Sequence, residues 1–477
     1  AKRLQEQLEV PIGIIHSSWG GTVAEAWTST NTLKTLSDFE KILTDIKNPE
    51  AWKRTNEWYQ SLDSIDLPGT NNTWNDLSLN DGMLANPDFE DEHWETMELP
   101  NRYDQFDNWQ LDGTVWFRKE IKLTDAGSDY TLSAGVIDDM DATYFNGTKV
   151  GGLAGWGYHT AERIYTIPKE LLKKGNNTIA IRAIDGGGPG TISGSLKLSN
   201  KQGVEIPLNG TWKYRPIAEI YQGKFYLYDL NDTDLSQRPD ILQMGPNVPT
   251  VLYNAMIHPL VPYSIKGAIW YQGESNVGRA EQYARLFPKM INDWRIHWEE
   301  DFPFYYVQIA PFNYGISPDS ENSAALRDAQ RKSLATKNTG MVVTSDIGNF
   351  TNIHPGNKQD VGSRLAGLAL ANDYGYDLVA SGPLYKSHTN AGSKILITFD
   401  HTGSGLMARD SKLNGFEIAG ADKKFVPATA KIIDNTIELS STAVANPVDA
   451  RYAWSDQGAS SLFNKEGLPA SSFTTEN

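Results

Sequence analysis

The chain runs through three textures of apolar and polar positions. Residues 1–10 (AKRLQEQLEV) have the spacing of the second half of an amphipathic helix, and VPIGIIHSS directly after it reads as a buried strand. A buried strand so close to the first residue, with no element before it, predicts that the chain begins inside a domain. Residues 31–66 read as helical, with Trp52, Trp58 and Tyr59 in a charged background. From about Asp81 the period falls to two in runs such as VWFRKEIKL, YTLSAG, ATYFNG, RIYTI and NTIAIRAI, broken by Asn-Gly, Gly-Gly and Pro-Gly. Such alternation with frequent turns predicts an antiparallel β-sandwich of roughly 110–130 residues. PLNGTWKYR (207–215) closes it, and a polar linker follows to about Thr250.

From Val251 strands alternate with helices. IKGAIWYQG reads as a buried strand, and RAEQYARLFPKMINDWRIHW as a helix with Tyr283, Leu286, Ile291 and Trp294 as apolar positions. FPFYYVQIAP (strand), SAALRDAQRKSLA (helix), TGMVVTSDIG (strand) and NKQDVGSRLAGLALANDYG (helix) continue the series. The predicted class is α/β, a doubly wound and mostly parallel sheet interrupted by the inserted sandwich. KILITFD, AKIIDNTIELSS and ARYAWSD predict a C-terminal β element. The expected domains are 1–80 and 216–380 for the two parts of the sheet domain, 81–215 for the sandwich and 381–477 for the C-terminal region.

Composition narrows the chemistry. The 477 residues carry 43 Lys plus Arg against 59 Asp plus Glu, a formal charge of −16. That surface repels phosphate backbones, so no nucleic-acid partner is expected. With Cys at 0, disulfides, thiolate catalysis and Cys-based zinc sites drop out together. No apolar run approaches the ~18 residues of a membrane span, and the first residues lack the basic and apolar regions of a signal peptide.

In open α/β sheets ligands bind beyond the carboxyl ends of the strands. Three loops take that position: HSSWGGT (16–22), YQGESN (271–276) and DIGNFTNIHPGNK (346–358). Paired glycines in the first let backbone N–H groups approach an anion, although an ordinary strand-to-helix turn has the same composition. The second brings amides that donate to an oxyanion without titrating, or else cap a helix through Ser275 or Asn276. His354 lies in the third at a strand's carboxyl end, the place of a general base, with Asp346, Asn352 and Asp360 near enough in sequence to orient it. His16 in the first loop is its nearest rival. Asp138, Asp139 and Asp141 form the only tight acidic cluster, and in a sandwich that is ordinarily a solvated turn rather than a calcium site. No metal site is expected. Most of the 14 Trp must be core; Trp19, Trp27 and Trp270 flank the loops and are candidates for stacking on sugars.

Together, PIGIIHSSWGGTVAEAWTS, AIWYQGESN and IHPGNKQDVGSRLA resemble the second, third and fifth sequence blocks of the sialate O-acetylesterase family, a carbohydrate-esterase branch of the SGNH hydrolases. LRDAQ (326–330) and LNGFEIAG…RYAWSD…NKEGLPASSF extend the resemblance, and the sandwich resembles galactose-binding-like modules. The resemblance implies His354 as the catalytic base, with Asp346 as a candidate partner, and Gly21 as an oxyanion-hole N–H. It leaves Gln272 and Asn276 as alternatives for the oxyanion-hole side chain. Trp19, Glu25, Glu274 and Arg327 are the candidate substrate contacts. A sialate carboxylate calls for an arginine, for which Arg327 and Arg279 stand as candidates.

Two departures accompany it. No Gly-Gln-Ser or Gly-Asp-Ser occurs, so the family's nucleophile block is absent, together with the strand that carries it. The superfamily's Asp-x-x-His is Thr351-Asn352-Ile353-His354 here. Ser17, Ser18 and Ser275 are in-chain alternatives for the nucleophile. The expected function is removal of acetyl groups from 9-O-acetyl sialate by Ser–His acyl-enzyme hydrolysis, without a cofactor. An acetylxylan or other glycan acetylesterase and a non-catalytic carbohydrate-binding protein are the rivals. The expected partners are an acetylated carbohydrate and an N-terminal fragment completing the sheet, in the periplasm or outside a bacterial cell.

Overall fold

The computed structural model describes residues 1–69, 71–106, 109–188, 190–230, 233–314, 322–409, 412–458 and 461–476. The chain divides into two units, Ala1–Lys47 with Gln243–Asn477, and Asn48–Leu242.

In the first unit, the parallel strands Ala268–Tyr271, Phe304–Val307 and Thr339–Val342 lie side by side in chain order. Their side chains alternate between faces, so each face needs its own cover. On one, Phe304, Tyr306 and Met341 pack with Leu286, Phe287, Met290 and Ile291 of the Ala280–Trp298 helix and Leu326 of the Asn322–Lys332 helix. On the other, Tyr305, Val307 and Val342 pack with Val361, Leu365 and Leu368 of the Lys358–Asp373 helix. Helices on both faces bury the sheet, as continuous apolar strands require. Trp27 and Trp270, considered above as sugar platforms, are instead core: Trp270 meets Trp27 and Trp294 edge-on at 5.8 and 5.7 Å. Of the three loop tryptophans only Trp19 is exposed.

The predicted strand at VPIGIIHSS is a correction. Residues 11–18 form no strand, with Ile14 69% and Ile15 51% exposed. One edge of the parallel sheet is bare among the described residues, since Ala268–Tyr271 pairs there only with Phe304–Val307 and Ile269 is 69% exposed. An apolar segment becomes a strand only when a ladder partner takes its backbone groups, and among the described residues none does. The helix at the start does form, over Lys2–Leu8, with Arg3 donating to Ser363 O at 2.6 Å.

The C-terminal region is β, as expected. Leu384–Ala391, Lys394–Asp400, Thr436–Ser440 and Thr429–Ile433 make one sheet, and Val426–Pro427, Phe416–Ala419, Asp449–Tyr452 and Phe473–Thr474 another. Ile395, Ile397, Phe416, Ile437, Leu439 and Tyr452 form a shared core.

The second unit holds two antiparallel sheets. The larger runs through Gly210–Tyr221, Gly113–Leu123, Gly175–Asp185 and Met140–Phe145; the smaller is built on Glu162–Ile167, Tyr130–Ile137 and Thr191–Asn200. Between them lie Val115, Phe117, Leu132, Ile179, Ile181, Leu198 and Trp212. Trp74, Trp94, Trp116 and Phe225 cover the outer face of the larger sheet. The boundaries read from sequence, 81 and 215, are corrected. Gly210–Tyr221 continues through residue 215 and returns in Lys224–Leu227, which pairs with Asp63–Asp66. That pairing, with the Tyr59 hydroxyl donating to Glu219 at 2.8 Å, places the Pro49–Gln60 helix in this unit. Residues 31–66 are also not one helical stretch: Thr30–Leu33, Glu40–Asp45 and Pro49–Gln60 are separate, the first capped by Ser29 and the last by Asn48.

Asp141 of the acidic triplet is fully enclosed and pairs with Arg163 at 2.8 Å, also accepting from Thr143 and Tyr165. It is a structural knot. Among the described residues no group of three or more His, Cys, Asp or Glu is placed to hold a metal, and no helix is long and apolar enough to cross a membrane.

Candidate functional site

The three loops stand at one end of the parallel strands and are tied to one another by side chains. The first turns at Gly20–Gly21, with Gly21 in the left-handed region (φ 72°) that only glycine adopts at no steric cost. Thr22 fixes the turn, donating to Trp19 O at 2.8 Å and accepting from Trp27 Nε1 at 2.9 Å. Among the described residues the Gly21 N–H has no acceptor. Ala24–Trp27 then forms a single buried turn of helix.

The second loop locks onto the first. Asn276 is fully buried, its oxygen accepting from Ala24 N at 3.0 Å and Gln272 Nε2 at 2.6 Å, its nitrogen donating to Glu25 Oε2 at 3.0 Å. Gln272 Nε2 also donates to Thr22 O at 3.0 Å, which engages both of its amide hydrogens. Glu25, buried, takes Arg279 on its other oxygen at 2.6 Å. Gln272 and Asn276, the alternatives for the oxyanion-hole side chain, knit the two loops together, Glu25 is the buried anchor of that knot, and Arg279 pairs with Glu25. Gly273 allows the backbone to pass: it has φ 149°, and a Cβ there would sit 2.7 Å from Ile309 Cγ2. Glu274 is half-buried, and burial holds its carboxyl above the usual range, offset in part by Lys358.

The third loop meets the second through Lys358, whose Nζ lies 3.4 Å from the Tyr271 hydroxyl and 4.5 Å from the ring centroid. His354 is exposed. Asn352 accepts its backbone N–H at 2.8 Å, and its ring has no hydrogen-bond partner among the described residues. Asp346 is taken by Arg364, which donates to both its oxygens at 2.7 and 2.6 Å, so this acid belongs to the Lys358–Asp373 helix rather than to His354. Asp360 is likewise used by Asn357, the helix cap.

Among the described residues none of Ser17, Ser18 and Ser275 is hydrogen-bonded to the His354 ring. Ser17 donates to Met256 O at 3.0 Å, Ser18 pairs with His16 Nε2 at 2.6 Å, and Ser275 is exposed on the second loop. Arg327, a candidate carboxylate ligand, is fully buried. It donates to Ser472, Ser323, Ala453 O and Ser455 O, tying the Asn322–Lys332 helix to the C-terminal β region, and burial lowers its pKa to about 10. Sequence reasoning missed Lys358, Tyr271 and Tyr314. The Tyr314 hydroxyl is buried without a partner among the described residues, and burial, then Glu274, pushes it well up. Tyr271 and Lys358 both stood inside the loop motifs, Tyr271 directly before Gln272 and Lys358 four residues after His354.

Residues 243–371 match the family model of carbohydrate esterases described as sialic acid-specific acetylesterases. The chain is similar to the sialate O-acetylesterases. That of Mus musculus is 34% identical over 243 residues, 45% of this chain and 44% of that protein. That of Homo sapiens is 32% identical over 240 residues, 44% and 45% respectively. The chain thus spans less than half the length of the curated relatives it matches. A carbohydrate acetylesterase from Xanthomonas citri has a solved structure with 28% identity and a TM-score of 0.47, covering 73% of this chain and 95% of that one. The likeness of residues 243–371 to that family model, and of part of the chain to the curated relatives, is thus a likeness to carboxylic ester hydrolases.

Proposed function

We propose that this chain forms most of an SGNH-type carbohydrate O-acetylesterase acting on 9-O-acetylated sialic acid, with its nucleophilic serine on a strand outside these 477 residues. The observation that carries the reading is the ring of His354, unpartnered among the described residues and exposed on a strand-end loop that side chains connect to the Gly21 turn. In the completed site the serine Oγ attacks the acetyl carbonyl while the His354 ring takes its proton. The Gly21 N–H donates to the oxyanion as the C–O bond to the sugar breaks, and the proton passes to the leaving sugar oxygen. Water then attacks the acyl-serine, His354 takes the water's proton and returns it to serine, and acetate leaves. With Asp346 on Arg364, His354 works without that acid as a third member.

Two observations favour an added strand: the bare edge at Ile269 and the unpaired run 11–18. That none of Ser17, Ser18 and Ser275 hydrogen-bonds the His354 ring among the described residues agrees with an outside nucleophile, and is also what a non-catalytic glycan-binding protein would show. The test is acetate release from 9-O-acetyl-N-acetylneuraminate and from O-acetyl xylo-oligosaccharides, by protein carrying an upstream Gly-Gln-Ser strand. Release from the first supports the proposal. Release only from the second makes it a glycan acetylesterase, and binding without release makes it a binding protein.

A further inference from the structure

Resting on that reading, we infer that Lys358, with the Tyr271 hydroxyl beside it, is the residue pair that selects a sugar acid by binding its carboxylate. Arg279, Arg327, Lys358 and Arg364 are among the cations of the strand-end loops and the helices beside them. Arg279 is held by Glu25 at 2.6 Å, Arg364 is bidentate on Asp346, and Arg327 is buried among serines and carbonyls. Lys358 is exposed and makes no ion pair among the described residues; Glu274 attracts it from beyond ion-pair distance. Its one hydrogen-bond partner there is the Tyr271 hydroxyl, at 3.4 Å a loose contact.

The position itself is electrostatically unfavourable. Lys358 is the first residue of a 16-residue helix, where the helix dipole favours anions. A cation there adds to the positive end, and a carboxylate arriving between Lys358 and Tyr271 neutralises both. Tyr271 stays a neutral O–H donor across the physiological range, because burial, then Glu274, pushes its pKa up to about 12. The 4.5 Å cation–π contact holds the ammonium over the Tyr271 ring, so the two donors are preset together. Lys358 lies four residues after His354, which places a bound acid sugar on the base's own loop.

The test compares N-acetylneuraminic acid with its methyl ester, the same sugar without the charge, by saturation-transfer NMR titration against the full 477-residue chain. The acid is expected to bind about tenfold more tightly, the size of one charge-assisted hydrogen bond at a solvated site. Lys358→Met should erase the difference and Lys358→Arg should keep it, with melting temperatures confirming that both variants fold. Equal affinity for acid and ester, a ratio unmoved in Lys358→Met, or no binding of either sugar overturns the inference. Because binding does not require the nucleophile, failure here leaves acetate release to be judged separately. A lasting acid preference, with no acetate release by the strand-completed protein, would sink the esterase reading alone.

Discussion

Replacing Asn276 by Ala tests how strongly this residue knits the two loops. In the structure its amide accepts from Ala24 N and Gln272 Nε2 and donates to Glu25, at zero exposure. The substitution therefore leaves two donors without an acceptor and a carboxylate with one fewer donor, all in a buried setting. Each such group costs about 1–3 kcal/mol. Taking the low end, because a water fits where an amide was, gives about 3 kcal/mol for the local structure, or a factor of about 150 in an opening equilibrium. Hydrogen exchange read by mass spectrometry reports it directly. Peptides covering residues 19–28 should exchange about a hundredfold faster in Asn276→Ala, since the Ala24 amide loses its acceptor. Peptides from the Gly113–Leu123 strand should be unchanged. Acceleration of less than about threefold at 19–28 would refute the reasoning.

Gly273→Ala should destabilise the first unit by about 3 kcal/mol, from the φ of 149° and the 2.7 Å clash with Ile309, read as a fall in urea midpoint. Arg327→Lys should cost about 2–4 kcal/mol, because an ammonium cannot reach Ser472, Ser323 and the two carbonyls together; sugar affinity should not change. In the second unit, burial and then neighbouring aspartates push Asp138 up to about 7 and Asp185 to about 9. The folded form then holds protons that the unfolded form releases from about pH 4, so these groups stabilise below that pH. Stability is lost as pH rises toward about 9. Exchange from the Gly175–Asp185 strand should accelerate between about pH 5 and about pH 9 beyond the intrinsic rate, and Asp185→Asn should flatten that rise.

What could be read from the sequence was what depends on local pattern. Continuous apolar runs marked the three parallel strands, period-two alternation marked the sandwich, and both follow from where a strand's faces lie. The failures have one cause, contacts between residues far apart in sequence. VPIGIIHSS has a strand's composition and lacks a ladder partner. Gly210–Tyr221 runs past its predicted end because Lys224–Leu227 and Asp63–Asp66 extend its sheet. At the site, the motifs located the loops, but residue type did not say which side chains face one another. Glu25, Gln272 and Asn276 satisfy each other, Asp346 is claimed by Arg364, and Lys358 is left open.

The most direct test of the central claim is acetate release from 4-nitrophenyl acetate by this chain, with and without an upstream Gly-Gln-Ser strand, each also as His354→Ala. The account predicts a folded but inactive chain, activity on adding the strand, and its loss by about a thousandfold or more in His354→Ala. Release by the chain alone that vanishes in His354→Ala would place the nucleophile within these residues and contradict it. So would a folded, strand-completed protein that releases no acetate.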